Sequence, residues 1–403
     1  MLIALWFTTT ITASAALSQI NPALAIRLDA DNARALDFEA SLAIDGVTRA
    51  GARRAINLTK RSLLASPLSS DGAAILGTAR AILSPSRDVL PAFRYSQFLS
   101  RRTALTQIWF IEHSVARGDI PAALRAYDHL FRVSDQHRAQ FLPVLVAASA
   151  QSDVARGVAR LLATRPQWRN EYFSGLLGTF PGADNFALLT RAFRFNPRDP
   201  AGANRLSLAM ARLVESGRPE LGFGLYREAA GPSADVSLVR DGDFRRVGGL
   251  TPFDWELTES ETLLAEVGTN DAAQPVLRLS NRAGRPGALA RQLLMLRPGS
   301  YRLTFAVGNV GGGVIDRPQM RVECLSGQPV LSATTFPAAP EGGHNVATAF
   351  SVPLEGCAAQ WLVVQAGNPV DAIATQQWVS KIRIVPASSA GERPAIRGIQ
   401  PWG

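Results

Sequence analysis

The sequence predicts two domains of different fold class in one chain, a helical domain over residues 27–232 and then an antiparallel β-sandwich over residues 237–386. Three observations support this division. Residues 27–232 are rich in Ala, Leu and Arg at helical spacing and carry few strand signals. A helix–turn–helix pattern recurs within them. Beyond residue 237, short segments alternate apolar and polar residues between Gly and Pro, which is typical of a sandwich.

The composition of the 403 residues is that of a folded protein, with 47% hydrophobic and 19% charged residues. The formal net charge of +9 raises the question of a nucleic-acid partner. The basic residues are scattered, however, and the densest run, from Arg49 to Arg61, lies along one predicted helix. We therefore interpret the charge as solvated helix faces and predict no nucleic-acid partner.

The first 26 residues contain no charged side chain, and the largely apolar stretch Met1–Ile20 matches the ~20 residues that span a bilayer. A retained membrane anchor is the favoured interpretation. There are two alternatives: a secretory signal cleaved after Ala15 or Ala25, and a helix buried in the helical domain. The usual preceding positive charge is missing, so we expect the true start to lie upstream. Anchor and signal both imply an inner-membrane-anchored, periplasmic protein or a secreted one.

The helical domain contains two stretches of matching pattern, Gly118–Val133 and Gly217–Ala230. In each, the glycine is predicted to end one helix, and a proline, Pro121 or Pro219, starts the next, where its missing N–H has no intrahelical role. A small residue and an aromatic follow on one face of the second helix. The coinciding pairs are Ala123 with Gly222 and Tyr127 with Tyr226.

This spacing resembles the second helix of tetratricopeptide repeats, in which paired helices stack into an α-solenoid. The resemblance covers about half of the chain, although the proline expected after Val133 is absent and the copies between are degenerate. A generic helical bundle is the alternative. The resemblance implies that the helices bind a protein partner on a concave surface. It also implies that Trp109, Tyr127 and Tyr226 are core residues.

Both cysteines, Cys324 and Cys357, lie in the β half. Two cysteines cannot alone form a structural zinc site, and they lack the CxxC spacing of redox motifs. A disulfide between neighbouring strands is expected in an oxidising compartment. Two buried free thiols are the alternative.

Alternation along the β half predicts which side chains face the core. Leu354 is assigned to the core because it continues the alternation of Phe350 and Val352. Trp255 and Trp378 are also predicted to be buried. The other inward-facing residues are Tyr301, Leu303, Phe305, Val307, Met320, Val322, Cys324, Phe350, Val352, Leu362 and Val364. Residues 387–403, rich in Gly, Pro and Ser, are predicted to form a flexible tail.

The β half opens with Asp241-Gly242-Asp243-Phe244, continues with Trp255 and ends with a strand from Trp378 to Ile384. These features resemble the β-jelly-roll of carbohydrate-binding modules, which is related to galactose-binding-like domains. The resemblance implies a polysaccharide ligand. Such domains often bind structural calcium through an acidic residue in the last strand, but Ser380 and Lys381 stand there. We therefore predict no metal and no cofactor.

A sugar site needs an accessible aromatic ring with polar groups beside it. With Leu362 and Val364 in the core, Trp361 and Gln365 fall on the polar face. The residues expected to share that face are Arg302, Thr304, Arg321, Glu323, Lys381 and Arg383. The predicted ligand-binding residues are Trp361, Gln365, Arg321 and Glu323, with Trp361 as the stacking platform. The alternative is that Trp361 is covered by a loop or by the helical domain.

Motifs of metalloproteases, α/β-hydrolases and nucleotide-binding enzymes do not occur in the sequence, so we expect no catalytic residues and no enzyme activity. The predicted function is a non-catalytic periplasmic scaffold, with helical repeats for a protein partner and a β-domain for polysaccharide. The arrangement is similar to that of uncharacterised bacterial repeat proteins linked to exopolysaccharide production. The alternatives are an interaction protein whose β-domain binds no sugar and an accessory subunit of a glycosidase.

Overall fold

A computed structural model describes residues 2–85, 88–231, 237–246, 249–281, 286–367 and 377–387. Along them, a helical N-terminal region is followed by two antiparallel sheets, which confirms the predicted fold class. The chain divides into two compact units, Met1–Phe193 and Arg194–Gly403. The predicted domain boundary, 232–237, falls on 232–236, which lie outside the described residues, as does the predicted tail apart from Ala387.

The first unit consists of helices. Their bounds are Leu2–Leu17 (α1), Pro22–Leu28 (α2), Ala33–Asp45 (α3), Arg49–Ala65 (α4), Ser70–Leu83 (α5), Leu90–Leu99 (α6), Ala104–Ala116 (α7), Ile120–Val133 (α8), Asp135–Ala148 (α9), Ser152–Ala163 (α10), Arg169–Thr179 (α11) and Ala183–Phe193 (α12). Side-chain oxygens cap several N-termini by accepting a backbone N–H, as Asn32 does from Ala35 at 3.0 Å. Helices adjacent in the chain pack on one another from α1 to α9, whereas α9 packs on α11 and α10 packs on α12. Trp109 is only partly buried; it stacks on Phe93 at 4.3 Å, beside a small apolar cluster.

The N-terminal segment forms α1 and α2. The hydroxyl of Ser14 donates to the carbonyl of Ala25 at 2.9 Å, and the amide of Asn32 donates to Ser14 at 2.8 Å. Among the described residues, no helix combines the length and the apolar character needed to cross a membrane. The contacts of Ser14 are those expected of a packed helix, and the anchor and the cleaved signal stay predictions.

The two predicted helix–turn–helix stretches have the expected bounds. Gly118 lies between α7 and α8, and Gly217 lies between two helices of the second unit, Pro200–Glu215 (α13) and Pro219–Ala230 (α14). Both glycines have positive φ, +69° and +78°, which a residue without Cβ adopts at little cost. Tyr127 and Tyr226 are buried, as predicted.

The strands of the second unit form a sandwich of two five-stranded sheets. Their bounds are Glu256–Leu257 (β1), Leu263–Thr269 (β2), Pro275–Asn281 (β3), Ala288–Leu294 (β4), Gly299–Gly308 (β5), Gln319–Cys324 (β6), Val330–Thr335 (β7), His344–Val352 (β8), Gln360–Gln365 (β9) and Gln377–Pro386 (β10). Sheet 1 has the order β1-β4-β9-β6-β7 and sheet 2 the order β2-β3-β10-β5-β8, all antiparallel. The chain crosses between the sheets at β1–β2, at each step from β3 to β6 and at each step from β7 to β10.

The core between the sheets contains the side chains that alternation assigned to it, with one exception. Leu354 is 88% exposed, so its prediction is wrong. The cause is Pro353, which follows the last residue of β8 and ends the strand before the alternation reaches Leu354. Trp255 and Trp378 are buried as predicted, but Trp378 packs with Val276 and Ala306, in a small cluster separate from the main core.

Helices α13 and α14 belong to the same compact unit as the sheets. Phe253, in the loop before β1, is fully buried and contacts the rings of Phe223 and Tyr226 on α14, with centroid distances of 5.2 and 5.4 Å. The Tyr226 hydroxyl donates to Asp254 Oδ1 at 2.7 Å. Burial, reinforced by the Asp254 carboxylate, raises the pKa of Tyr226, so the hydroxyl keeps the proton that it donates. This contact explains why the unit begins well before its first strand.

The Asp-Gly-Asp-Phe turn is fixed to the last strand. Ile382 donates its N–H to the carbonyl of Gly242 at 2.9 Å, and Arg383 pairs with Asp243 at 2.7 Å. A Cβ on Gly242 would lie 2.1 Å from the Ile382 carbonyl, so this close approach requires glycine. Phe244 enters the core and contacts Trp255 at 5.2 Å. The turn thus closes one end of the sandwich.

Candidate functional site

All four predicted ligand-binding residues lie on the outer face of sheet 1. Across the β9–β6 pair, Trp361 lies opposite Glu323, and the next outward position of β9 lies opposite Arg321. Gln365 is on the same face, four residues along β9 from Trp361, which is about 13 Å at the usual rise of a strand. The structure therefore brings Trp361, Glu323 and Arg321 together and places Gln365 at the far end of the same face.

Four residues expected to share this face do not, and that prediction is wrong. Arg302 and Thr304 lie on β5, and Lys381 and Arg383 lie on β10, so all four belong to sheet 2. Alternation distinguishes the inward from the outward side of a strand, but it does not tell to which sheet the strand belongs.

The indole ring of Trp361 makes a cation–π contact with Arg291. The guanidinium of Arg291 on β4 lies 4.6 Å from the centre of the indole ring. Arg291 is opposite Glu256 of β1 and forms two hydrogen bonds with its carboxylate, at 2.8 and 3.1 Å. This bidentate pair fixes the guanidinium, and the guanidinium in turn fixes the ring through a cation–π contact. Trp361 is accordingly half-buried, with Arg291 against its ring, rather than an open platform.

A cleft of about 900 Å³ opens beside Trp361, within the second unit. Its floor is formed by Trp361, Arg291 and Glu256, and the facing wall is formed by α13 and the turn after it. Asn204 and Ser207 give this wall its amide and hydroxyl groups. Leu208, 47% exposed, gives it an apolar side chain. This volume lies in the range of small-molecule binding sites.

The third wall of the cleft is the segment before β9, which contains Cys357. A disulfide joins Cys357 to Cys324 at the end of β6. The buried side chain of Gln360 holds the same segment, because its Nε2 donates to the Cys357 carbonyl at 2.7 Å while its Oε1 accepts from Leu296 N at 2.9 Å. The wall is thus fixed covalently and by a buried amide.

The charges at the cleft largely cancel. Within the lining, Glu256 pairs with Arg291, and Glu215 of α13 pairs with Arg212 at 3.4 Å. Beside the lining, on the same face of sheet 1, Glu323 pairs with Arg321 at 3.0 Å. Arg321 Nε is buried and, among the described residues, has no hydrogen-bond partner. A surface of paired charges with amide and hydroxyl groups suits a neutral ligand rich in hydrogen-bonding groups better than an ion. An aromatic ring beside such groups is an arrangement that binds the apolar face of a sugar.

Sequence reasoning found Trp361 but missed Arg291, Glu256 and the α13 wall. The "LARQLL" segment that carries Arg291 has a weak alternating pattern and was not identified as a strand. Its pairing with Glu256 and its position over Trp361 depend on strand register. In the part of the chain that the structure describes, no group of three or more His, Cys, Asp or Glu side chains could hold a metal ion.

No protein-family model and no curated protein matches the chain. Solved structures that align with part of it include a CBM4 module, at 13% identity over 37% of this chain and 99% of that module, with a TM-score of 0.28. The C-terminal family 22 carbohydrate-binding module of Clostridium thermocellum Xyn10B aligns at 15% identity over 38% of this chain and 98% of that module, with a TM-score of 0.27. The MgGH51 α-L-arabinofuranosidase aligns at 12% identity over 37% of this chain but 26% of that enzyme, with a TM-score of 0.28. These low values add no argument about function.

Proposed function

We propose that this protein binds a polysaccharide without cleaving it, in the cleft beside Trp361. The observation that carries the proposal is the floor of the cleft, where the indole ring of Trp361 lies beside the Arg291–Glu256 ion pair. A second ion pair, Arg321–Glu323, lies next to it on the same face of sheet 1. A sugar presents an apolar face to a ring and hydroxyls to its surroundings. The cleft offers groups of both kinds within about 900 Å³.

The pairing of the charges favours a neutral glycan. A negatively charged glycan would require free cations, yet Arg291 and Arg321 each have a carboxylate partner. Hydroxyls can instead accept from guanidinium N–H groups and donate to the carboxylates while both pairs persist. In this proposal Gln365 extends the contact surface along β9 toward the next sugar.

For the helical region, we propose tetratricopeptide-like repeats that bind a protein partner. The observations that support it are the two helix–glycine–helix stretches with positive φ at Gly118 and Gly217. The proposed setting is extracytoplasmic, which the Cys324–Cys357 disulfide supports because such bonds persist in oxidising compartments. A role in exopolysaccharide assembly or export would join the two activities, with the helices holding a partner and the sandwich holding the polymer.

A purely structural role for the β-domain is the second candidate. Two observations favour it. The Arg291 guanidinium covers part of one face of the Trp361 ring, and Val363, the next outward-facing residue of β9, is buried. In that case the paired charges and the indole would only stabilise the surface of sheet 1 against α13. The two candidates differ in whether wild-type protein is retained by any glycan.

Trp361→Ala is expected to weaken glycan binding at least about tenfold, a loss of ~1.4 kcal/mol, because the ring is the main apolar contact for a sugar. Affinity gel electrophoresis of the full chain against a panel of soluble neutral and acidic polysaccharides measures the retardation. Trp361→Phe should retain part of it, since an aromatic face remains.

Leu354→Ala is the matched control, because Leu354 is 88% exposed and is not part of the cleft lining. It should be retarded like the wild type. If the wild type is retarded by none of the polysaccharides, or if Trp361→Ala is retarded as strongly as the wild type while remaining folded, the glycan site is wrong and the structural role is favoured. Glycan hydrolysis by the purified chain would contradict the non-catalytic part.

A further inference from the structure

A second cavity of the second unit, of about 550 Å³, lies beside the Asp-Gly-Asp-Phe turn. Its lining comes from α14, from the start of α13 with the residues before it, from the segment that precedes β1, and from the edge strands β1 and β2. No residue lines both this cavity and the cleft beside Trp361. The volume lies in the range of small-molecule binding sites.

The charged side chains of this lining are mostly basic. They are Arg198, Arg240, Arg245, Arg246, Asp241 and Asp254, so the lining carries an excess of two positive charges. Asp243 lies outside the lining, 3.7 Å from Arg245. It does not remove the excess, because it also pairs with Arg383 at 2.7 Å, which is outside the lining as well.

Both carboxylates of the lining are occupied by neutral donors. Asp241 accepts the backbone N–H groups of Arg245 and Arg246, at 2.9 and 3.0 Å. Asp254 accepts from the Tyr226 hydroxyl and from a backbone N–H of its own loop, each at 2.7 Å. These carboxylates thus fix the turn and its contact with α14, and they leave the arginine side chains of the lining to other partners.

Arg240 is the arginine whose position is fixed in advance. Its guanidinium lies over the rings of Tyr226 and Phe223, 4.7 and 5.1 Å from their centres. The buried side chain of Gln292 accepts from Arg240 N at 2.9 Å and donates to the Arg240 carbonyl at 3.0 Å, which holds the backbone on both sides. A cation that is already ordered loses little side-chain entropy when an anion binds to it.

The polar groups of the lining that lack a partner are donors. Within the described ranges, the guanidiniums of Arg198 and Arg246 form no ion pair. Trp255, another lining residue, is 9% exposed, and the described residues hold no acceptor for its indole Nε1. Guanidinium and indole N–H groups donate hydrogen bonds and accept none. The lining therefore lacks acceptors, and an anion with several oxygens would supply them.

The charge and the apolar part of the lining together indicate the kind of anion. Guanidiniums bind phosphate oxygens through paired N–H groups, and a phosphomonoester carries a charge of about −1.5 to −2 at pH 7, which matches the excess of the lining. Part of the lining is apolar and only half-buried: Pro197, Ala203, Ala229, Leu257 and Val267. An ester with an apolar body covers this surface, whereas inorganic phosphate does not.

We propose that the cavity beside the Asp-Gly-Asp-Phe turn binds a small phosphomonoester, with the phosphoryl oxygens on the guanidiniums of the lining and an apolar body over Leu257 and Val267. The site is separate from the glycan cleft, and the proposal does not depend on glycan binding.

The test uses the full chain and phenyl phosphate, whose binding saturation-transfer NMR measures at constant ionic strength. Three competitors each lack one feature: inorganic phosphate has no apolar body, phenylacetate has a single charge, and benzyl alcohol has none. Phenyl phosphate should bind at least tenfold more tightly than benzyl alcohol and more tightly than the other two. Added salt should weaken the binding of phenyl phosphate and leave that of benzyl alcohol unchanged, because salt screens charges.

The double substitution Arg198→Gln and Arg246→Gln should lower the affinity for phenyl phosphate at least tenfold. The matched control is Arg297→Gln with Arg302→Gln, which removes the same charge from exposed side chains of the second unit outside the cavity. It should bind phenyl phosphate like the wild type. All four arginines are exposed, so both double variants should unfold at the wild-type urea midpoint.

Equal affinity for phenyl phosphate and benzyl alcohol, or wild-type affinity in the Arg198 and Arg246 variant, would overturn the proposal. An equal loss in the two double variants would overturn it too, because net charge and not the cavity would then govern binding. Tighter binding of phenylacetate than of phenyl phosphate would overturn the assignment of a phosphate ester. Trp361→Ala should bind phenyl phosphate like the wild type; a loss there would place the ligand in the glycan cleft and contradict a separate site.

Discussion

Phe253→Ala is expected to lower the free energy of unfolding of the second unit by about 3–5 kcal/mol. The phenyl ring is fully buried and contacts Phe223 and Tyr226 on α14. Its neighbour Pro252 accepts from Leu293 N at 2.8 Å, so the loop is held by β4 on one side and by α14 on the other. Alanine would leave a cavity against α14. Helix α13, which packs on α14 and forms one wall of the proposed glycan cleft, would then be less well supported.

Hydrogen exchange on the full-length chain measures this effect separately from the helical unit, because amides of β3, β10 and α14 belong to the second unit. We expect faster exchange in all three elements and, as a consequence, weaker glycan retardation. Tyr226→Phe keeps the ring and loses only the hydrogen bond to Asp254, so its cost should be about 1 kcal/mol. If the amides of α14 exchange in Phe253→Ala at the same rates as in the wild type, the role assigned to the contact of Phe253 with α14 is wrong.

Much of this architecture is predictable because it depends on local pattern. Helical spacing and strand alternation gave the change from helix to sheet and the inward faces of β5, β6 and β9. The glycines at 118 and 217 marked turns because a positive φ favours glycine. The predicted burial of Leu354 was wrong because the alternation was extended past Pro353, where the chain has already left the strand.

The features that the sequence did not predict depend on contacts between residues far apart in the chain. Arg302 and Lys381 look like neighbours of Trp361 by alternation, yet they lie on sheet 2. Arg291 was not identified at all, although it contacts Trp361, because its place depends on the register of β4 against β9. The assignment of α13 and α14 to the second unit depends on Phe253, whose partners come from a distant part of the chain. The candidate cleft is therefore a tertiary feature around one predictable residue.

Removal of the disulfide by the double substitution Cys324→Ala and Cys357→Ala is the other change with a large expected effect. The bond closes a segment of 33 residues. Opening a loop of that length restores conformational entropy to the unfolded chain, and a loss of about 4 kcal/mol in the free energy of unfolding is expected. Because Cys357 lies in the wall of the proposed glycan cleft, the substitution should weaken glycan binding as well as lower the stability of the fold.

The two consequences are separable, because Gln360 remains in the variant and still binds the Cys357 backbone carbonyl. Urea unfolding of the double variant should show a lower midpoint for the second unit, and glycan retardation should fall by less than in Trp361→Ala, since the indole and the Arg291–Glu256 pair are intact. Wild-type protein treated with a thiol reductant should behave like the double variant. Thiol titration of native wild-type protein purified without reductant should find no free cysteine. If it finds two, the disulfide is absent and the wild type and the double variant should have equal urea midpoints. Gln360 would then be the residue that fixes this side of the cleft.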